Sequence, residues 1–187
     1  MMSVSKNGFG IVYLERAFEM RKEKLFLSMG DNPVELSDIR KVESVLVFTF
    51  PDEFKSLYLD CNGGAPSREC WSEDIDYEPI LVESFKPIEA GSRMLDGDTS
   101  HLVGFVLSMQ EKKVVPSHIL PFAVDEANNF ICFEKNSGKV LYFAVDVFRP
   151  DVEMAVNHLA AQKILSESFK EFSESLCLGE EEDDEED

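Results

Sequence analysis

Residues Phe50 to Gly64, Phe-Pro-Asp-Glu-Phe-Lys-Ser-Leu-Tyr-Leu-Asp-Cys-Asn-Gly-Gly, constrain the local fold more than any other stretch of the chain. Proline suits the first helical turn, because its fixed φ matches the helix and its missing N–H would have no partner there. Phe54, Leu57 and Tyr58 then fall at i, i+3 and i+4, on one face of a short helix. Gly63 and Gly64 enter left-handed conformations at little cost, so the helix ends and the chain reverses. Asn62 is expected to hydrogen-bond the backbone of its own turn. This unit holds no nucleophile, metal-ligand set or phosphate cradle, and it reads as the front of a binding domain.

The flanking segments complete an α+β pattern. Glu35 to Leu46 predicts a helix with Ser37 as N-cap and Ile39, Val42, Val45 and Leu46 on one stripe. Ala65 to Glu78 is polar and predicts a loop carrying the single tryptophan, Trp71. Pro79 to Ile88 is rich in β-branched and aromatic residues and predicts a strand. Ala90 to Asp98 predicts a loop, and Thr99 to Lys112 a helix burying Leu102, Val103, Val106 and Leu107. Beyond Pro116, Ser117 to Ala123 leads into a strand, and Asn129–Glu134 with Lys139–Val147 predicts a hairpin around Asn136-Ser137-Gly138. A last helix is expected from Val152 or Ala160 to Leu176, with Ile164, Leu165, Ser168, Phe169 and Phe172 on one side. Helices, then strands, then a closing helix predict a mainly antiparallel β-sheet flanked by helices in a single domain.

At 187 residues, 44% of them hydrophobic and 15 of them Phe, the chain is large and apolar enough for one packed core. Formal charge is −19. Residues Glu180 to Asp187 are all acidic and predict a disordered tail, since like charges repel and bury nothing. Residues 1–29 carry five bases against three acids, so the body from Gly30 to Gly179 retains −13. Such a body repels nucleic acid and anionic membranes and attracts basic partners, although solubility alone also calls for charge. Three regions follow: an N-terminal extension over 1–29, a domain over 30–178 and an acidic tail over 179–187. The extension is read as an appended helix across Ile11 to Leu27 or as an overextended start, with Met20 and Met29 as alternative first residues.

Cys61, Cys70, Cys132 and Cys177 contain no C-x-x-C pair, and buried free thiols are the expectation. Reduced thiols fit the cytoplasm. No secretory pattern opens the chain, and no apolar run approaches the ~18 residues of a membrane span.

Three ordered segments carry a family resemblance. They are Ile39…Val42-Glu43 leading to Phe50-Pro51-x-x-Phe54…Tyr58…Asn62-Gly63-Gly64; Ile119-Leu120-Pro121-Phe122-Ala123-x-Asp125-x-x-x-Asn129-x-Ile131-Cys132 with Val140-Leu141-Tyr142; and Ser168-Phe169-x-x-Phe172-x-x-x-Leu176. Over about residues 34–178 the chain resembles the SUKH superfamily, which groups fungal cell-wall-synthesis regulators of the Smi/Knr type with bacterial immunity proteins. The family usually shows Asp-x-Gly-Gly-Asn where this chain has Asp125-Glu126-Ala127-Asn128-Asn129. Asn128 accepts a left-handed conformation more readily than Ala127, so a reshaped turn is expected there. The resemblance implies binding and no catalysis. Its leading expectation is a cytoplasmic immunity protein that neutralises a cognate toxin, often a nuclease, by docking on it. The alternative is a regulatory or scaffold module acting on an endogenous protein.

No catalytic constellation competes with that reading. His101, His118 and His158 lack partners at ligand spacing, so neither a metal nor a general base is expected. Asp52, Glu53 and Asp60 belong to a surface helix, and Ser67, Ser72 and Ser117 lie outside any nucleophile elbow. Gly8-x-Gly10 lacks a preceding strand and a third glycine, so no nucleotide or other cofactor is expected. Phe54, Leu57, Tyr58, Pro121, Phe122, Phe169 and Phe172 are expected as scaffold, with the hydroxyls of Tyr58 and Tyr142 needing partners. Partner contact is expected instead from Arg68, Trp71, Glu73, Asp74, Asp76, Tyr77 and Glu78, an aromatic anchor amid acids, although Trp71 could equally cap the sheet. Asp125, Glu126 and Asn129 form a second cluster. The partner expected is a basic protein, with no nucleic acid and no membrane.

Overall fold

A computed structural model describes residues 24–89 and 98–179. In chain order the elements are β1 (Leu27–Ser28), α1 (Leu36–Leu46), α2 (Asp52–Asp60), β2 (Ala65–Pro66), β3 (Cys70–Trp71) and β4 (Ile80–Phe85). Then follow α3 (Leu102–Glu111), β5 (Ile119–Asp125), β6 (Phe130–Glu134), β7 (Val140–Phe143), a 3₁₀ turn (Val145–Val147), α4 (Met154–Ala160), β8 (Gln162–Ser166) and α5 (Phe169–Ser175). Strands β3 to β8 form one antiparallel sheet in sequence order, and β1 pairs with β2 in a small second sheet. The class is α+β with an antiparallel sheet, as the order of helices, then strands, then a closing helix predicts.

The central strands are buried on both faces, which is why they read as continuous apolar runs. Along β6, Ile131 and Phe133 join the main cluster, whereas Phe130 and Cys132 join a second cluster on the opposite face. β7 alternates likewise, with Val140 and Tyr142 on one side and Leu141 and Phe143 on the other. The main cluster receives Ile39, Val42 and Leu46 from α1, Phe54, Leu57 and Tyr58 from α2, and Phe169 and Phe172 from α5. Phe54 is its hub, stacked on Tyr58 at 4.3 Å and on Phe50 at 4.6 Å, with Phe133 and Phe169 edge-on at 5.3 and 5.2 Å. A bulge between Pro121 and Ala123 lets Phe122 and Ala123 both face this cluster, and it falls where proline has no N–H to give the ladder.

The helix boundaries depart from expectation where polar side chains decide them. Glu35, and not Ser37, is the N-cap of α1, because the Asp38 carboxylate accepts the Glu35 N–H at 3.1 Å and closes a capping box. At its other end Lys135 donates to the Leu46 carbonyl at 2.7 Å, a cation at a helix C-terminus. The region expected as one helix up to Leu176 is a helix, a strand and a helix. β8 pairs with β7 and covers its open edge, and Ser168 then caps α5 by accepting the Glu171 N–H at 3.2 Å. Val145–Val147 is a 3₁₀ turn where the second hairpin strand was expected to continue, while the Asn136-Ser137-Gly138 turn is present with Gly138 at φ 76°.

The polar run Ala65 to Glu78 contains β2 and β3, so it is not wholly loop. The packed unit also reaches upstream of residue 30, since Leu25 and Leu27 are buried in the main cluster and β1 pairs with β2. The earlier part of the expected N-terminal helix, the loop over 90–97 and the acidic run 180–187 lie outside the described residues. Asn62 holds more than its own turn. Its amide donates to the carbonyls of Asn32 (2.9 Å) and Ile88 (2.7 Å), and its oxygen accepts the Ile88 N–H at 2.8 Å. Three segments are thereby clasped at the end of α2.

Candidate functional site

One end of the sheet opens into a cleft of about 530 Å³. The chain entering β4 supplies Asp76, Tyr77, Glu78, Pro79, Ile80 and Leu81. The β5–β6 turn supplies Asp125, Glu126 and Ala127, and β7 with the following 3₁₀ turn supplies Tyr142, Ala144, Asp146 and Val147. Part of each polar cluster that the sequence nominates therefore lines one opening: Asp76, Tyr77 and Glu78 from the first, Asp125 and Glu126 from the second.

A buried hydrogen-bond network forms the inner wall. Asn128 takes the left-handed position at φ 61°, which closes the glycine-free turn as expected of Asn over Ala. The turn brings the Asn129 N–H onto Asp125 Oδ1 at 2.7 Å. The Tyr142 hydroxyl donates to Asp125 Oδ2 at 2.6 Å and accepts from Asn129 Nδ2 at 2.8 Å. Asn129 Oδ1 accepts the Val145 N–H at 2.8 Å and so fixes the 3₁₀ turn that carries Asp146. Burial, reinforced by the bond to Asp125, pushes the Tyr142 phenol far above its ordinary range, so it remains a neutral donor. Both Asp125 oxygens are occupied by internal donors, and Asn129 is only 2% exposed. These residues, expected as partner contacts, are the frame of the cleft.

The rim is acidic and partly aromatic. Asp76, Glu78 and Glu126 are exposed, and Asp146 joins them from the opposite wall. Tyr77 is 37% exposed and meets Tyr142 edge-on at 6.5 Å. The Lys163 ammonium lies 4.4 Å from the Tyr77 ring centre and 2.5 Å from Asp74 Oδ2. That hydrogen bond, with the Asp76 N–H, holds the Asp74 carboxyl below its ordinary range. Lys163 thus props the 74–77 segment against β8. Ile75, at the tip of this segment, is 98% exposed.

Two expected contact residues are internal. Trp71 is 3% exposed in the main cluster, opposite Ile80, which is the sheet-capping alternative. Arg68 is buried as well and donates to the Ser173 carbonyl at 2.9 Å, anchoring α5. Glu73 is exposed and does not line the cleft. Among the scaffold residues, Tyr58 finds its partner in the Lys86 carbonyl at 2.8 Å. Asp146 and Val147 were missed because they sit in a run that reads as strand. The one available signal is an acid interrupting the apolar sequence Phe143-Ala-Val-Asp-Val-Phe148.

The histidines do not converge. His101 bonds Asp31 at 3.0 Å and Ser100 at 2.9 Å, tying the loop after β1 to the start of α3. His158 meets the Lys113 carbonyl at 2.9 Å, beside Phe143 and Phe148, and His118 lies at the entry to β5. Asp52 pairs with Lys55 and Asp60 with Lys24 on the outside of α2. Ser67 accepts the Phe26 N–H, and Ser72 lies beside Cys177. Among the described residues, no group of three or more His, Cys, Asp or Glu side chains is placed to hold a metal ion, and no helix is long and apolar enough to cross a membrane.

No curated protein gave a significant match to the chain. The profile of the SMI1 / KNR4 family (SUKH-1) matches residues 33–175, a span that runs from just before α1 through α5 and holds every residue of the cleft. The chain belongs to the SMI1/KNR4 family of SUKH domains.

Proposed function

We propose that this SUKH domain is a non-enzymatic protein-binding module that acts as a bacterial immunity protein, neutralising a cognate toxin domain, such as a nuclease, by direct docking. The observation that carries the reading is the cleft, where exposed carboxylates and a tyrosine edge surround a frame already satisfied by internal hydrogen bonds. A nuclease must present a basic surface to hold phosphates, so lysine and arginine side chains of such a partner match this rim. Long basic side chains entering the cleft would meet Asp76, Glu78, Glu126 and Asp146 and lay their apolar stems on Tyr77, Pro79 and Val147. Docking there occludes the surface the toxin needs for its substrate. The cytoplasm is the compartment in which such a protein would work.

The test is growth rescue on co-expression with a toxin domain encoded beside the gene. The wild-type chain is expected to rescue. The variant Asp76→Asn/Glu78→Gln/Glu126→Gln/Asp146→Asn is expected to lose rescue with an unchanged melting temperature. Absence of rescue by the wild type contradicts the immunity role, and full rescue by the variant contradicts the cleft as its site. A second reading, a regulatory or scaffold module of the cell-wall-regulator type, is favoured by the match to a family named for that branch. It uses the same cleft on an endogenous protein and would leave toxicity unchanged.

A further inference from the structure

Cys70 opens β3 and faces Cys177 across an antiparallel bridge that lies outside the named strands. The two residues exchange both backbone hydrogen bonds, Cys70 N–H to the Cys177 carbonyl at 2.9 Å and Cys177 N–H to the Cys70 carbonyl at 2.8 Å. Residues paired in this way have Cα atoms about 5.5 Å apart, inside the range that a disulfide spans. The Cys177 thiol donates to the Cys70 carbonyl oxygen at 3.2 Å and is near enough to help raise the pKa of the Cys70 thiol. Neither other cysteine shares this arrangement. Cys61 lies against the Gly63 carbonyl at the end of α2, and Cys132 is enclosed in the second cluster.

We infer that Cys70 and Cys177 form a redox modification site, a dithiol that a small-molecule disulfide such as glutathione disulfide converts to a cross-strand disulfide. Cys177 is half-buried and Cys70 buried, so Cys177 is the attacking thiol. Burial, with Cys177 next to it, pushes the Cys70 thiol up to about 11, so Cys70 does not start the exchange, and its later attack relies on the backbone pairing that holds it opposite Cys177. The Cys177 thiolate attacks one sulfur of glutathione disulfide, the S–S bond breaks, and the released glutathione thiolate takes up the proton that Cys177 lost. Cys70, on losing its proton, then attacks the Cys177 sulfur and displaces the second glutathione. Two protein S–H bonds become one S–S bond, and one glutathione disulfide becomes two glutathione thiols. The product ties the chain after α5 to the strand that leads into the Asp76–Leu81 wall of the cleft. It also closes a loop through most of the domain, which restricts the unfolded chain.

The test is peptide mapping by mass, without reduction, of the intact chain exposed to glutathione disulfide. The Cys70 and Cys177 peptides are expected joined, with loss of two hydrogens. The melting temperature is expected to rise by at least about 5 °C, reversibly with dithiothreitol. The Cys70→Ser variant is expected to stop at a glutathione adduct on Cys177. A wild-type chain that keeps a lasting adduct on Cys177 with Cys70 free, or that stays wholly unmodified, would overturn the inference.

Discussion

A methyl group added at Gly64 would meet the Ser28 carbonyl oxygen at 2.1 Å, and the residue sits at φ 95°. Sterics and backbone conformation therefore both demand glycine there. Gly64→Ala is expected to destabilise the domain by about 2–4 kcal/mol in urea unfolding, because β1 must move or the turn must reform. A loss below about 1 kcal/mol would show that β1 does not press on this turn. The requirement for glycine was legible in the Asn-Gly-Gly sequence, since the conformational freedom is local. Its steric source was not, because Ser28 arrives from 36 positions away. The same holds for Asn62, whose residue type announces a turn while its partners, Asn32 and Ile88, lie on distant segments. Arg68 and Trp71 show the converse. Charge and aromaticity in a polar run suggest a contact surface, yet one anchors α5 and the other fills the core.

Helix α1 ends on Val47, a β-branched residue held at φ 50° and almost fully exposed. Left-handed conformation is unfavourable for such a side chain, and solvent exposure leaves nothing packed to offset it. Val47→Gly is expected to stabilise the protein by about 0.5–1 kcal/mol, read as a higher urea midpoint at unchanged slope. A lower midpoint would mean that Val47 makes contacts that outweigh its backbone strain. Elements defined by local periodicity, α1, α2 and the β6–β7 hairpin, were legible in the sequence. The α4–β8–α5 region was not, because β8 exists through pairing with β7, a non-local interaction that overrides an apolar pattern compatible with a helix. The break was nevertheless marked, since Ser168-x-x-Glu171 is the spacing of a helix start.

At the scale of the whole molecule, the antiparallel sheet delivers the 76–81 segment, the β5–β6 turn and the 3₁₀ turn to the same end. Acidic residues scattered over seventy positions thereby become one rim, on a body that carries −13. Net charge and two of the three contributing segments were legible in the sequence, but Asp146 was hidden in an apparent strand. Asp125, Asn129 and Tyr142 hold the rim without contributing to it, so neutralising the exposed acids changes charge while leaving the frame intact. The most direct test of the proposed binding role is calorimetric titration of a toxin domain encoded beside the gene, the proposed partner, into the wild-type chain and into the fourfold cleft variant, at low and physiological salt. Affinity for the variant should fall at least about tenfold, and its dependence on salt should flatten, since rim charges act through long-range attraction. Equal affinities and equal salt slopes for the two proteins would contradict the claim that this cleft is where the partner binds.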